Sequence, residues 1–228
     1  MHKSAGPKLI SFDVFGTLID VRNGSYPAFQ SILKDCGRPA IDVKGFFEYW
    51  EQRNIAHYWE SYRRYKEIAE LSLAETFAHF EIRASNSKLI QRYFDAFSSF
   101  TLFDDVDPVL DVLGRAHRLA VVSNIDDDLL AATPLRRTFD LVCTAERAGG
   151  YKPDGKLFRY LIVQSGLAKD DILHAGQSQF TDMVGAKPLG LSVAWINRRA
   201  IALDAKVPKP DVELRDLASL LRLLDAPR

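Results

Sequence analysis

Apolar character is almost continuous along Leu9-Ile10-Ser11-Phe12-Asp13-Val14-Phe15 and breaks at once at Gly16-Thr17. Such a run suits a strand covered on both faces. From residue 100 onward four more β-rich runs recur: Leu119 to Asn124, Leu141 to Ala145, Ile172 to Gly176 and Ser192 to Ile196. Between them lie charged segments whose apolar residues repeat with helical period. This alternation predicts an α/β fold built on a parallel, Rossmann-like sheet. Helices are expected over Pro108 to His117, Asp127 to Arg137, Asp154 to Ser165, Thr181 to Leu189 and Leu214 to Leu224.

Between Gly24 and Phe100 the alternation stops and only helical periods remain. Phe46, Phe47, Trp50, Ile55, Trp59, Tyr62 and Tyr65 recur at helix-like spacings, with Asp42 placed to cap the first turn. Leu71 to Phe80 and Lys88 to Phe97 read as two further amphipathic helices, with Ser85 or Ser87 available to cap the second. We therefore expect an inserted helical cap over residues 24–99 within a core made of 1–23 and 100–228. Most of its rings are expected to pack against one another, and a few to line a substrate pocket.

At 228 residues, 47% of them hydrophobic, the chain is long enough to bury a real core. Thirty basic residues balance thirty acidic ones, so no overall field draws it to nucleic acid or to an anionic membrane. A small-molecule partner is the better expectation. No apolar run approaches bilayer-spanning length, and Met1 to Lys8 has no signal-peptide h-region, which leaves the cytoplasm as the expected compartment. Cys36 and Cys143 lie far apart; Cys143, in an apolar run, reads as a buried free thiol in a reducing compartment.

Four strand ends hold residues able to do chemistry. Asp13 closes the first strand just before Gly16, where open parallel sheets place their ligands and where a carboxylate can attack an electrophile. Ser123 and Asn124 end the second, and Lys152, held by Pro153, can offset the charge of a nucleophile or an anion. The last is His174-Ala175-Gly176-Gln177-Ser178-Gln179-Phe180-Thr181-Asp182, where a strand passes into a helix. Taken singly, each is more commonly a turn former, a helix cap or a solvated side chain, and His174 reads as a packed core histidine. Their conjunction at one sheet edge is what points to a site.

Asp-x-x-Gly-Thr-Leu, Ser-Asn after a strand, Lys-Pro, and Gly-x-Ser-x-x-x-Asp-x-x-Gly-Ala together resemble the four-motif set of the haloacid dehalogenase superfamily over nearly the whole chain. The resemblance implies a Rossmann-like core with a helical cap inserted after the first motif. It makes Asp13 a covalent nucleophile, gives Thr17 and Ser123 the anionic groups to hold, Lys152 the charge to neutralise, and Asp182 the completion of the site. Magnesium-dependent phosphatases of that kind carry a second aspartate where this chain has Phe15, and an acidic residue where it has Gln177. Their absence implies chemistry at carbon, with no required cofactor and no metal ligands, and with Mg²⁺ belonging only to the phosphatase alternative. The branch resembled most is that of the L-2-haloacid dehalogenases, in which water, positioned or activated by Asp182, then hydrolyses the aspartyl ester. Ring opening of azetidine-2-carboxylate is a second carbon-centre alternative. Phe15, Asn124, Gln177 and Ser178 are the expected substrate contacts. The usual cap arginine is replaced by Glu51, so Arg53 is the expected clamp for a substrate carboxylate. Homodimers are common among such proteins, and the residues themselves neither require nor exclude one.

Overall fold

The computed structural model describes residues 6–84 and 88–225; the expected caps Ser85 and Ser87 lie outside the described residues. All five expected strands form: β1 (Leu9–Phe12), β2 (Arg118–Ser123), β3 (Leu141–Thr144), β4 (Ile172–Gly176) and β5 (Ser192–Ile196). They run parallel in one sheet with a further edge strand, β6 (Val212–Leu214), in the order β3-β2-β1-β4-β5-β6. The order reverses at β1, which lies between β2 and β4. A crevice opens at such a switch point beyond the carboxyl ends of the strands, and the first strand delivers Asp13 there.

The segment between β1 and β2 contributes α1 (Val21–Asp35), α2 (Val43–His57), α3 (Tyr65–His79), the short α4 (Gln91–Asp95) and a 3₁₀ turn, Ala96–Ser99. Asp42 caps α2, accepting from the backbone of Lys44 and Gly45 at 3.2 and 3.0 Å. As expected, most rings here pack together. Phe29 meets Phe46, Phe47, Trp50 and Tyr93 with ring centroids 4.9 to 6.0 Å apart. Trp59 is the departure, standing largely in solvent. Gly24 lets α1 press onto Phe100, since a Cβ there would sit 2.3 Å from the Phe100 ring.

These helices are fastened to the sheet side by polar contacts near the crevice. Asp126, which follows β2, accepts from the Tyr65 and Lys66 backbone N–H groups at 2.9 and 3.1 Å and so satisfies two orphan donors at the start of α3. Tyr151 donates to the Arg63 carbonyl at 2.8 Å and stacks on Tyr58 at 4.4 Å.

The remaining helices are α5 (Val106–Leu113), α6 (Asp127–Ala132), α7 (Ala145–Ala148), α8 (Lys156–Ser165), α9 (Val184–Ala186) and α10 (Leu217–Asp225). Several are shorter than the periodicity predicts, for local reasons. Helix α6 stops because Thr133 precedes Pro134 and is extended at φ −72°, ψ 164°. Gly155, at φ +77°, delays the start of α8. The expected helix Thr181 to Leu189 is instead a π-helical turn, Gln179–Met183, followed by α9 and a 3₁₀ turn that contains Pro188. The expected tail helix begins three residues late, because Val212–Leu214 joins the sheet and Asp105 then accepts from the Leu217 N–H at 2.7 Å. A three-residue edge strand is too short to show its period in a sequence. Among the described residues, no helix is long and apolar enough to cross a membrane. Cys143 is a buried free thiol on β3, which pushes its pKa up to about 12.

Candidate active site

Leaving β1, the chain fixes Asp13 by a backbone hydrogen bond from its N–H to the Ala175 carbonyl on β4, at 3.0 Å. It then turns at Gly16, whose φ of +90° favours glycine and whose missing Cβ leaves room for the Gln177 side chain. The turn swings Thr17 back onto the nucleophile position: its hydroxyl donates to Asp13 Oδ2 at 2.7 Å and accepts from the Gln177 N–H at 3.0 Å. Thr17 is fully buried and is not on the cavity wall. The expectation that it grips a substrate anion is therefore corrected, since its hydroxyl is already committed to holding Asp13.

Lys152 reaches the same point from the loop before α8. Its Nζ lies 2.5 Å from Asp13 Oδ1 and 2.7 Å from Asp182 Oδ1. Two contacts hold its backbone. The Lys152 N–H donates to Asn124 Oδ1 at 2.9 Å, and Gly185 packs so tightly that a Cβ would come within 1.9 Å of the Lys152 carbonyl oxygen. The glycine three residues after Asp182 thus serves the lysine.

Two carboxylates share one ammonium in a buried site, and their environments separate them. Burial raises the Asp13 pKa, and the nearby Asp182 charge raises it further, against the opposing pull of Lys152. Asp182 is held well below the usual carboxylate range: burial opposes its charge, but Lys152 and His174 outweigh that, and the Ser178 N–H also donates to its Oδ2 at 2.9 Å. For Lys152, burial is outweighed by the two carboxylates, so its pKa is raised and it stays charged.

His174 supports this arrangement from beneath, where sequence reasoning gave it little functional weight. Its Nε2 lies 3.2 Å from Asp182 Oδ1 and its Nδ1 lies 3.0 Å from Ser11 Oγ, and all three side chains are fully buried. The ring thus bridges the Ser11 hydroxyl and the Asp182 carboxylate, and its Nε2–H is the group placed to donate to Asp182. Replacing His174 by phenylalanine removes a hydrogen bond to a charged group, worth roughly 1.5–3 kcal/mol. We expect kcat to fall roughly 10- to 100-fold with KM unchanged; steady-state kinetics of His174→Phe checks this.

Asp13, Phe15, Ser123, Asn124, Lys152, Gln177 and Ser178 share the wall of a cavity of about 380 Å³ beneath α2. Ser123 Oγ is buried there without a hydrogen-bond partner, a donor left for something that enters. Asp182 stands behind Lys152 rather than on the wall, so in this geometry it acts on the cavity through the lysine. Arg53 is a second correction. It points away from the cavity and is ion-paired with Glu75, because it falls on the other face of α2 from Glu51.

The arginines that do line the cavity are Arg22 and Arg199, which the motif reading passed over. Arg22 is ion-paired with Glu48 and Glu51, each at 3.0 Å, whereas Arg199 makes no hydrogen bond or ion pair among the described residues. Burial raises the Glu51 pKa against the pull of these two arginines. The signal for Arg199 was present, since the segment after β5 leaves the same sheet edge as the four motifs. Nothing local marks Arg22, whose partners lie 26 and 29 residues away.

The set does not fit Mg²⁺. A hard cation wants several charged oxygen ligands free to bind it, but the cavity wall that holds Asp13 offers the Phe15 ring and the Gln177 amide, and both Asp182 oxygens are engaged, by Lys152 and by the Ser178 N–H. Among the described residues, no three His, Cys, Asp or Glu side chains converge on a metal position.

Residues 10–196 match the model of haloacid dehalogenase-like hydrolases. The (S)-2-haloacid dehalogenase of Pseudomonas sp. (strain YL) is 25% identical over 96% of this chain and 94% of its own. A phosphoserine phosphatase of Thermus thermophilus is 24% identical over 92% of this chain and 96% of its own. The fold superposes on the L-2-haloacid dehalogenase of Xanthobacter autotrophicus with a TM-score of 0.84, at 21% identity over 97% of this chain and 100% of the other. With the family model spanning most of the sequence, and with aspartate, lysine and aspartate gathered at the switch point of such a sheet, the chain belongs to the haloacid dehalogenase-like hydrolase family.

Proposed function

We propose that the protein hydrolyses 2-haloalkanoic acids through an ester formed on Asp13. One observation carries the reading: the cavity wall that holds Asp13 carries the Phe15 ring and the Gln177 amide where a magnesium site wants charged oxygens. Metal-assisted phosphoryl transfer lacks those charged ligands here, while displacement at carbon needs a desolvated carboxylate with its charge balanced, and Lys152 balances it. Full-length similarity to (S)-2-haloacid dehalogenases supports the substrate class.

Asp13 is the nucleophile. Each of its oxygens accepts one hydrogen bond and keeps a lone pair. One attacks C2 of the acid; the carbon–oxygen bond forms as the carbon–halogen bond breaks, and halide leaves with the electron pair. Water then attacks the ester carbonyl carbon, the 2-hydroxy acid departs, and Asp13 is regenerated with release of a proton. Lys152 balances the nucleophile's charge, with Asp182, Thr17 and His174 as positioning residues. The unpartnered Ser123 hydroxyl and Arg199 receive the substrate carboxylate, the role once expected of Arg53. Phe15, Asn124, Gln177 and Ser178 shape the remaining wall. In this reading residues 24–99 act as a cap over the core, 1–23 and 100–228, and the partner is a small molecule.

The test is halide release from 2-chloropropionate and 2-bromopropionate. We expect the same rate with added Mg²⁺ and with a chelator. Release of phosphate from small phosphoesters that depends strictly on Mg²⁺ would overturn the reading.

A further inference from the structure

An apolar groove lies next to the catalytic cavity. The groove, of about 260 Å³, is lined by Gln52, Ile55, Trp59, Phe180 and Val184, with no charged side chain among them. Gln52, Ile55 and Phe180 also line the cavity that holds Asp13, so the two spaces share a wall. The groove takes one aromatic from each side of the crevice: Trp59 from the turn after α2, and Phe180 from the π-helical turn after β4.

Those rings are conspicuous for their exposure. Trp59 is 56% and Phe180 48% exposed, and they are the two aromatics among the large apolar side chains left exposed in the described residues. The inserted helices bury rings of the same kind elsewhere, so an aromatic pair facing solvent beside a reactive cavity is not surplus core. A cavity of about 380 Å³ is also at the size that holds drug-sized ligands rather than a three-carbon acid.

We propose that this groove binds the apolar tail of the substrate, so that the enzyme prefers 2-haloacids with a medium-length alkyl or aryl chain over the two- and three-carbon acids. The inference rests on the proposed chemistry at Asp13 and adds the shape of the molecule on which it acts. The occupant is argued from adjacency: a carbon chain that extends from C2 past Gln52, Ile55 and Phe180, which line both spaces, meets Trp59 and Val184 next. Each methylene that reaches the groove leaves water, which gives about a fourfold gain per carbon in kcat/KM.

The experiment compares 2-bromopropionate, 2-bromohexanoate and 2-bromooctanoate on the wild type, Trp59→Ala and Val184→Gln. We expect kcat/KM to climb along the series in the wild type, and the octanoate-to-propionate ratio to fall about tenfold in each variant. A flat series, or a ratio unmoved by both variants, overturns the inference. If no haloacid is turned over, the proposed chemistry fails on its own, and calorimetry with unhalogenated octanoate and propionate decides the tail. Tighter binding of octanoate that Trp59→Ala abolishes supports it, and equal binding overturns it. A wild-type dimer that Trp59→Ala dissociates in sedimentation also overturns it, since a second copy would then be what the groove holds.

Discussion

Asp13→Asn is expected to abolish halide release, with a loss on the order of 10⁴-fold or more, while leaving the protein folded and no less stable. The amide fills the same volume and can accept from Lys152 through its oxygen while its NH2 donates to the Thr17 hydroxyl, but it has no anionic lone pair to form the ester. The stability expectation follows from charge. Asp13 and Asp182 share one ammonium, so an uncharged residue 13 leaves Lys152 and Asp182 balanced one to one. The pKa of Asp13 is raised in the folded protein, so its contribution is fully present at acid pH and is lost as pH rises through that value. Asp182 behaves oppositely: its depressed pKa stabilises the fold above the ordinary carboxylate range, and this is lost as pH falls. Melting curves from acid to neutral pH should therefore show Asp13→Asn gaining on the wild type as pH rises, the usual sign of a site strained for function. Retained activity would remove Asp13 from the chemistry.

The second large effect is at Lys152. Its ammonium is fully enclosed, and Lys152→Met leaves two buried carboxylates facing each other with no cation between them. Breaking a buried pair from one side costs about 3–5 kcal/mol, so a marked loss of denaturant stability is expected. Activity falls too, and in a diagnostic way. Lys152 is the main influence holding the Asp13 pKa down, so the acid limb of the pH–rate profile should move to higher pH. The double variant Asp13→Asn with Lys152→Met should recover part of the lost stability, because a single buried carboxylate remains. An unshifted acid limb would mean that the lysine does not tune the nucleophile.

How far the sequence reaches is decided by what each residue depends on. The sheet is legible because β-rich runs and helical periods alternate without interruption after residue 100, and Asp13, Ser123, Lys152 and the Gln177–Asp182 segment are legible because strand ends at a switch point converge in space. Arg53 is misplaced because helix α2 is apolar on more than one face, so periodicity alone does not say which side meets the cavity; its neighbours Trp50 and Asn54 are buried while Glu51 looks into the crevice. The work of Thr17, His174 and Asn124 is invisible beforehand for a different reason. Each acts on another side chain or backbone group, through contacts with partners as distant as 160 residues, and no local pattern encodes them. Strand β6 escapes notice because three residues are too few to display a period.

The central claim is that an ester forms on Asp13, and a single-turnover reaction in oxygen-18 water with enzyme in excess over 2-bromopropionate tests it most directly. Mass spectrometry of the peptide containing Asp13 and of the product reads where the heavy oxygen goes. An ester intermediate predicts label in the Asp13 carboxylate and a first-turnover 2-hydroxy acid without it, because the product takes its oxygen from the enzyme. Label in the product, with an unlabelled Asp13 peptide, would mean that water attacks the substrate directly and would contradict the account.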